Sequence, residues 1–178
     1  DGSIDFRGVP TPVPDLVAAR LGRGDLSLCT IRDDGSVGCW GQNERGQLGD
    51  GTRTVRETPS PTTLTFPVIG LSSGARHACA LSDDGAVSCW GRNDHGQLGD
   101  GTQVDSSVPL AVPGLGDAVE VVAGGRHTCA RRAGGRVWCW GSNDWGQLGD
   151  SSPGDHLTPF ELADFSAAVL QVAVGGDF

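Results

Sequence analysis

The sequence predicts an all-β fold, a propeller of four-stranded antiparallel blades, on three observations. Motifs return at a period of 50 residues, each unit holds short runs of period-two alternation, and glycine and tryptophan recur at fixed offsets. Asp33-Asp34-Gly35-Ser36-Val37-Gly38-Cys39-Trp40-Gly41 returns as Asp83-Asp84-Gly85-Ala86-Val87-Ser88-Cys89-Trp90-Gly91. It returns again as Ala133-Gly134-Gly135-Arg136-Val137-Trp138-Cys139-Trp140-Gly141. Asn43 to Asp50, Asn93 to Asp100 and Asn143 to Asp150 keep the same step, as do Pro59, Pro109 and Pro159. At this period the chain holds about 3.6 units, where a seven-bladed ring needs roughly 350 residues.

Taken in order, residues 1–16 read as the trailing part of a preceding repeat, because Asp1-Gly2-Ser3 aligns with Asp50-Gly51-Thr52. Repeats follow at 17–66, 67–116 and 117–167, and 168–178 opens a fourth. Leu16 to Leu21 is expected as the strand before Gly24, equivalent to Ala118 to Ala123 and to Ala168 to Ala173. His77 to Leu81 and Ala86 to Trp90 make a hairpin around Asp83-Asp84-Gly85, a type I turn closed by a left-handed glycine. That register sets Leu81 opposite Val87 and Cys79 opposite Cys89; the other copies pair Cys29 with Cys39 and Cys129 with Cys139. The stretch ending Pro-Leu-Ala-Val-Pro reads as an edge strand, where proline is tolerated.

Six cysteines facing in pairs are close enough to bridge, while zinc would need two further recurrent ligands that the repeat lacks. Three disulfides are therefore expected, each closing about 11 residues and contributing roughly 2–3 kcal/mol. They place the chain outside the cytoplasm, whether secreted, periplasmic or on the cell surface.

The 178 residues contain 29 glycines, 10 prolines, no methionine and no tyrosine, which excludes a long helical bundle. Thirteen basic against 22 acidic side chains give a net charge of −9, which opposes nucleic acid and anionic membranes. No apolar run is long enough for membrane insertion and no leader precedes Asp1.

Gly124-Gly125-Arg126-His127-Thr128-Cys129-Ala130, the hairpin ending Val-x-Cys-Trp-Gly, and Asn-x-x-Gly-Gln-Leu-Gly-Asp-Gly-Thr together resemble the repeat of the regulator of chromosome condensation superfamily. The resemblance covers essentially the whole chain and implies a propeller, commonly of seven blades. It leaves activity open, since the superfamily includes a chromatin-bound nucleotide exchange factor, a plant ultraviolet photoreceptor and a secreted bacterial β-lactamase inhibitor. Paired cysteines, acidity and the short unit resemble the secreted or surface bacterial members, similar in kind to the inhibitor. The photoreceptor's tryptophan clusters have no counterpart, because Trp40, Trp90 and Trp140 hold one fixed blade position.

No catalytic residue, metal ligand or cofactor is expected. His77 and His127 sit at a repeat position taken by Ser27 and Phe178 in the other copies, so they read as structural ties. The Asp-Asp-Gly segments form turns and lack the ligand spacing of a calcium loop. There is neither a nucleophile elbow nor a phosphate loop. Leu48, Leu98 and Leu148 are expected to plug the gaps between blades.

Function then falls to exposed positions that vary inside a constant frame. These are Glu44-Arg45, Asp94-His95 and Asp144-Trp145, with the stretches Arg53 to Glu57, Gln103 to Ser107 and Pro153 to Leu157. Trp145 is the expected interface anchor. Trp138, where Gly38 and Ser88 are small, either extends the same apolar patch or fills a larger gap between blades. The expected partner is another protein, through one loop-bearing face. The alternative is structural: copies of the chain pairing end to end through open strand edges. An exchange-factor role would require reduced cysteines in a cytosolic or nuclear protein.

Overall fold

The computed structural model describes residues 20–163, 165 and 167–176. The trailing segment 1–16, residues Leu16 to Ala19 of the first expected strand, and Phe178 lie outside them. Twelve strands form three four-stranded antiparallel sheets, and no helix is present among the described residues. The first blade is β1 (Arg20–Arg23), β2 (Ser27–Ile31), β3 (Val37–Gly41) and β4 (Arg56–Pro61). The second is β5 (Val68–Ser73), β6 (His77–Ser82), β7 (Val87–Gly91) and β8 (Ser106–Ala111). The third is β9 (Ala118–Ala123), β10 (His127–Arg132), β11 (Val137–Gly141) and β12 (His156–Glu161). In every sheet the spatial order follows the chain, a meander with two edges.

The central hairpin shows why the sequence folds this way. Leu81 pairs with Val87 and Cys79 with Cys89, and the other blades repeat the register. At its turn the Gly85 N–H donates to Ser82 O over 3.1 Å, with Gly85 at φ +82°. This glycine has a second duty. A Cβ there would lie 2.8 Å from Asp117 Cα, and its carbonyl accepts the Ala118 N–H at 3.1 Å. The hairpin turn of one blade is thus the seat of the next blade's first strand, and the same bond joins Val68 N–H to Gly35 O and Val169 N–H to Gly135 O.

The outer strands run Ser-Val-Pro or Thr-Pro, and proline falls at a break in the ladder. Gly41 pairs with Arg56 and Cys39 with Ser60, so a step of two residues on β3 spans four on β4, and Pro59 lies in the excess.

Period-two alternation gives each hairpin two unlike faces, and the core lies between blades rather than within them. The face carrying the cysteines, an aliphatic pair and the loop leucine packs against the alanine and tryptophan face of the following blade. Cys29, Cys39, Val37 and Leu48 form one cluster with Ala78, Ala80 and Trp90. Cys79, Cys89, Leu81, Val87 and Leu98 form the next with Ala130 and Trp140. Trp90 and Trp140 are wholly buried, whereas Trp40, on the first blade, is partly exposed.

One expected element is absent. Ala168 to Ala173 is not a strand, although it lies along the third blade where β5 and β9 lie along theirs. In the other blades this segment pairs with the strand that opens at the His77 or His127 position. Here Phe178 takes that position, and the segment has no ladder partner among the described residues.

Candidate functional site

The loops that join the third and fourth strands of each blade, 42–55, 92–105 and 142–155, are built on one plan. Asn43 Oδ1 accepts the Leu48 N–H at 3.0 Å, and its Nδ2 donates to Asp50 Oδ1 and to the carbonyls of Thr52 and Thr54. Asn93 does the same for Leu98, Asp100 and Thr102, and Asn143 for Leu148, Asp150 and Ser152. Gln47, Gln97 and Gln147 each accept, through Oε1, the backbone N–H of residue 45, 95 or 145 at 2.9 Å. Asn43 and Asn93 are fully buried, so a carboxamide here replaces several water contacts at once. These asparagines and glutamines set the loop geometry, and the reading of the sequence passed them over. Their identity in all three copies was the available signal.

Asp50 shows the electrostatic result. Burial pulls its carboxyl upward, but hydrogen bonds from Thr52, Arg56 and Asn43 outweigh it and hold the group below the ordinary carboxylate range. The Arg56 Nε donates to Asp50 Oδ2 at 2.8 Å. In the third blade His156 replaces Arg56 and meets Asp150 at 2.9 Å.

The same loops latch onto the neighbouring blade. The Trp90 Nε1–H donates to Gln47 O at 3.0 Å and the Trp140 Nε1–H to Gln97 O at 2.9 Å. Gly49 and Gly99 make room for those indoles; a Cβ at Gly99 would stand 2.7 Å from Trp140 Nε1. At the second junction a further chain runs through the seam. Thr128 Oγ1 donates to Gln97 O at 2.9 Å, which spends its only proton. It therefore accepts from His77 Nε2 at 2.9 Å, fixing His77 as the neutral Nε2–H tautomer. Burial, then the nearby charges of His127 and Arg92, lower the His77 pKa to about 3. At the first junction the paired positions are Ser27 and Ala78, and the tie is missing from both sides together.

The expected partner-binding residues separate into three groups. Glu44, Asp94, Asp144 and Trp145 are exposed, and Trp145 is 83 % accessible. Arg45 and His95 are engaged within the protein instead: Arg45 Nη1 lies 3.1 Å from Asp105 Oδ2 and His95 Nδ1 2.9 Å from Asp155 Oδ2, each across a blade junction. These pairs span 60 residues and leave no local trace in the sequence. Of the two readings of Trp138, filling the gap between blades has the contacts: the half-buried ring packs on the second blade's cluster, with the Arg132 guanidinium 5.3 Å from its centroid.

The three disulfides form within the hairpins, between Cys29 and Cys39, Cys79 and Cys89, and Cys129 and Cys139, and no free cysteine is present. Among the described residues no helix is long and apolar enough to cross a membrane.

Four-stranded meanders stacked face to face, with the tryptophans of the second and third blades hydrogen-bonded to the loop of the blade before, define a β-propeller repeat protein. The family model of the regulator of chromosome condensation (RCC1) repeat matches residues 34–81, 84–131 and 134–178, and a second model of that repeat matches 68–97 and 118–147. The chain belongs to the RCC1 repeat family. Comparison with curated protein sequences gives no match. Among solved structures it is similar to Prp20p of Saccharomyces cerevisiae, with TM-score 0.81 and 20 % identity over 90 % of this chain and 42 % of that one. It is also similar to the ectodomain of the Physcomitrella patens receptor kinase CR4, with TM-score 0.57 and 25 % identity over 96 % of this chain and 39 % of that one. The chain thus spans well under half the length of either protein.

Proposed function

We propose that this chain is a non-enzymatic, protein-binding part of an extracytoplasmic bacterial protein, and that it binds through the face formed by loops 42–55, 92–105 and 142–155. One observation carries the reading. Asparagine, glutamine, leucine, glycine and aspartate are held by the same hydrogen bonds in three successive loops, while Glu44, Asp94, Asp144 and Trp145 project from that fixed frame into solvent. A frame that is already ordered loses little entropy when a partner docks. The −9 charge and the exposed acids favour a partner with a basic patch. Prp20p, which shares the fold, has been studied for its binding to Gsp1p and histones, and such partners are in keeping with a protein-binding role. The three disulfides support an oxidising compartment. Trp145→Ala is expected to weaken an identified partner by at least about tenfold, the ordinary cost of an interface anchor, without lowering stability. Unchanged affinity removes the assignment.

A second reading rests on the third blade's outward face. Trp145 stands where Arg45 and His95 reach the following blade, and a Cβ on Gly149 meets nothing within 4 Å among the described residues, where its equivalent Gly99 meets Trp140. That face fits another unit of the same repeat, including one supplied by a second copy. Light scattering across a concentration series separates the two: a monomer throughout rules out self-assembly, and a concentration-dependent dimer that Trp145→Ala dissolves rules for it.

A further inference from the structure

The two junctions between described blades carry one socket with different occupants. In each, two loop carboxylates of the later blade face residue 45 or 95 of the earlier one. At the first junction these are Asp94 and Asp105, and the Arg45 guanidinium sits with them, 3.1 Å from Asp105 and drawn also by the charge of Asp94. At the second they are Asp144 and Asp155, and the occupant is His95. Both sockets are aimed in the same way. Asp105 Oδ1 accepts the Asn93 N–H at 2.8 Å and Asp155 Oδ1 the Asn143 N–H at 3.2 Å, which leaves Oδ2 turned across the seam. The occupants are held by the Gln47 and Gln97 clamps on their own backbone N–H groups.

What differs is the chemistry of the occupant. A guanidinium brings a permanent charge and only donors: Arg45 serves Asp105, and Arg92 of the same loop serves Asp94. At the second junction Ser142 stands in place of Arg92 and an imidazole in place of the guanidinium, so the socket gathers two carboxylates and a nitrogen donor. A ring nitrogen of His95 and one oxygen from each of Asp144 and Asp155 lie within 4.8 Å of one another. Zinc takes imidazole nitrogen and carboxylate oxygen at about 2.0–2.2 Å, which sets neighbouring ligand atoms roughly 3 Å apart. His95 Nδ1 and Asp155 Oδ2 are 2.9 Å apart in a hydrogen bond, and a bound cation would displace the proton that joins them. Asp144 is exposed and closes the remainder by side-chain rotation.

We propose that His95, Asp144 and Asp155 bind a divalent cation of the zinc class that fastens the second blade to the third, as the Arg45 guanidinium fastens the first to the second. The first junction shows the comparison: there each of the two equivalent carboxylates has a cation, Asp105 the Arg45 guanidinium and Asp94 that of Arg92. Three protein ligands leave a coordination position for water or for a side chain of a bound partner. An imidazole with so few oxygens suits zinc better than calcium.

The test titrates zinc chloride into the oxidised 178-residue chain by calorimetry and follows thermal unfolding in parallel. One zinc per chain is expected, with a rise in Tm at saturating metal. His95→Arg rebuilds the first junction's own pairing, so it is expected to fold normally and to bind zinc at least about tenfold more weakly, with no rise in Tm. His156→Gln, which removes the other histidine-carboxylate pair, is expected to change neither value. Absence of saturable binding, undiminished binding by His95→Arg, or loss of binding in His156→Gln would each overturn the assignment.

Discussion

Replacing Gly99 and Gly149 by alanine separates two costs that usually arrive together. Both residues end the same Gly-Gln-Leu-Gly motif and have nearly the same backbone, φ +72° and +74°. Alanine at such a φ costs about 1–2 kcal/mol at either site. Only Gly99 faces a neighbour, since its new Cβ would stand 2.7 Å from Trp140 Nε1 and 2.9 Å from Cδ1, whereas at Gly149 nothing among the described residues lies within 4 Å. Moving the indole stretches its 2.9 Å bond to Gln97 O, worth about 0.5–1.5 kcal/mol, and opens the tight contact of a fully buried tryptophan, for about 1 kcal/mol more. Gly99→Ala is therefore expected to cost about 2.5–4.5 kcal/mol and Gly149→Ala about 1–2 kcal/mol. Urea unfolding of the 178-residue chain, followed by tryptophan fluorescence, measures both. Equal losses would show that the seam between blades is not where the glycine matters, and would refute the packing described above.

Between pH 6.5 and about 3 the unfolded chain takes a proton on His77 that the folded protein does not. Its folded pKa is lowered to about 3, so its contribution is complete above pH 6.5 and is lost as pH falls toward 3. Between about pH 6.5 and 4.5 the wild type should lose up to about 1.4 kcal/mol per pH unit more than His77→Gln; parallel curves would disprove the neutral tie to Thr128. Reducing all three disulfides should cost roughly 2–3 kcal/mol each on the chain-entropy account, and an unchanged Tm in reductant would contradict that. Asn93→Ala leaves the Leu98 N–H without its buried acceptor and should cost about 1–3 kcal/mol or more, read from the urea midpoint; a loss below that range would deny the loop its organising residue.

The fold was legible because its determinants are local and repeated. Alternation around Asp83-Asp84-Gly85 sets the hairpin register, and the register alone brings Cys79 to Cys89. Leu98 was expected between blades because only such a junction buries a residue of that size at every period, whereas Trp140 was legible only as a fixed strand position. The site was less legible. Arg45 and His95 stand in polar, variable positions, which is how an exposed binding residue looks, and the acids that claim them lie 60 residues on, in the next copy. Comparing adjacent copies with a one-unit offset would have found both pairs, and also the coupled exchange of His77 and Thr128 for Ser27 and Ala78. The strand expected at 168–173 failed for a different reason, since a strand is defined by its partner as much as by its own residues.

The central claim is that partners are read by the loop face and not by the opposite edge, where the hairpin turns lie. The most direct measurement compares the affinity of one identified partner for Glu44→Ala, Asp94→Ala and Trp145→Ala with its affinity for Asp33→Ala, Asp83→Ala and Arg136→Ala, each checked for unchanged Tm. The account predicts that binding weakens in the first set, most of all for Trp145→Ala, and is unaltered in the second. Loss confined to the turn variants, or spread evenly over both sets, would contradict it.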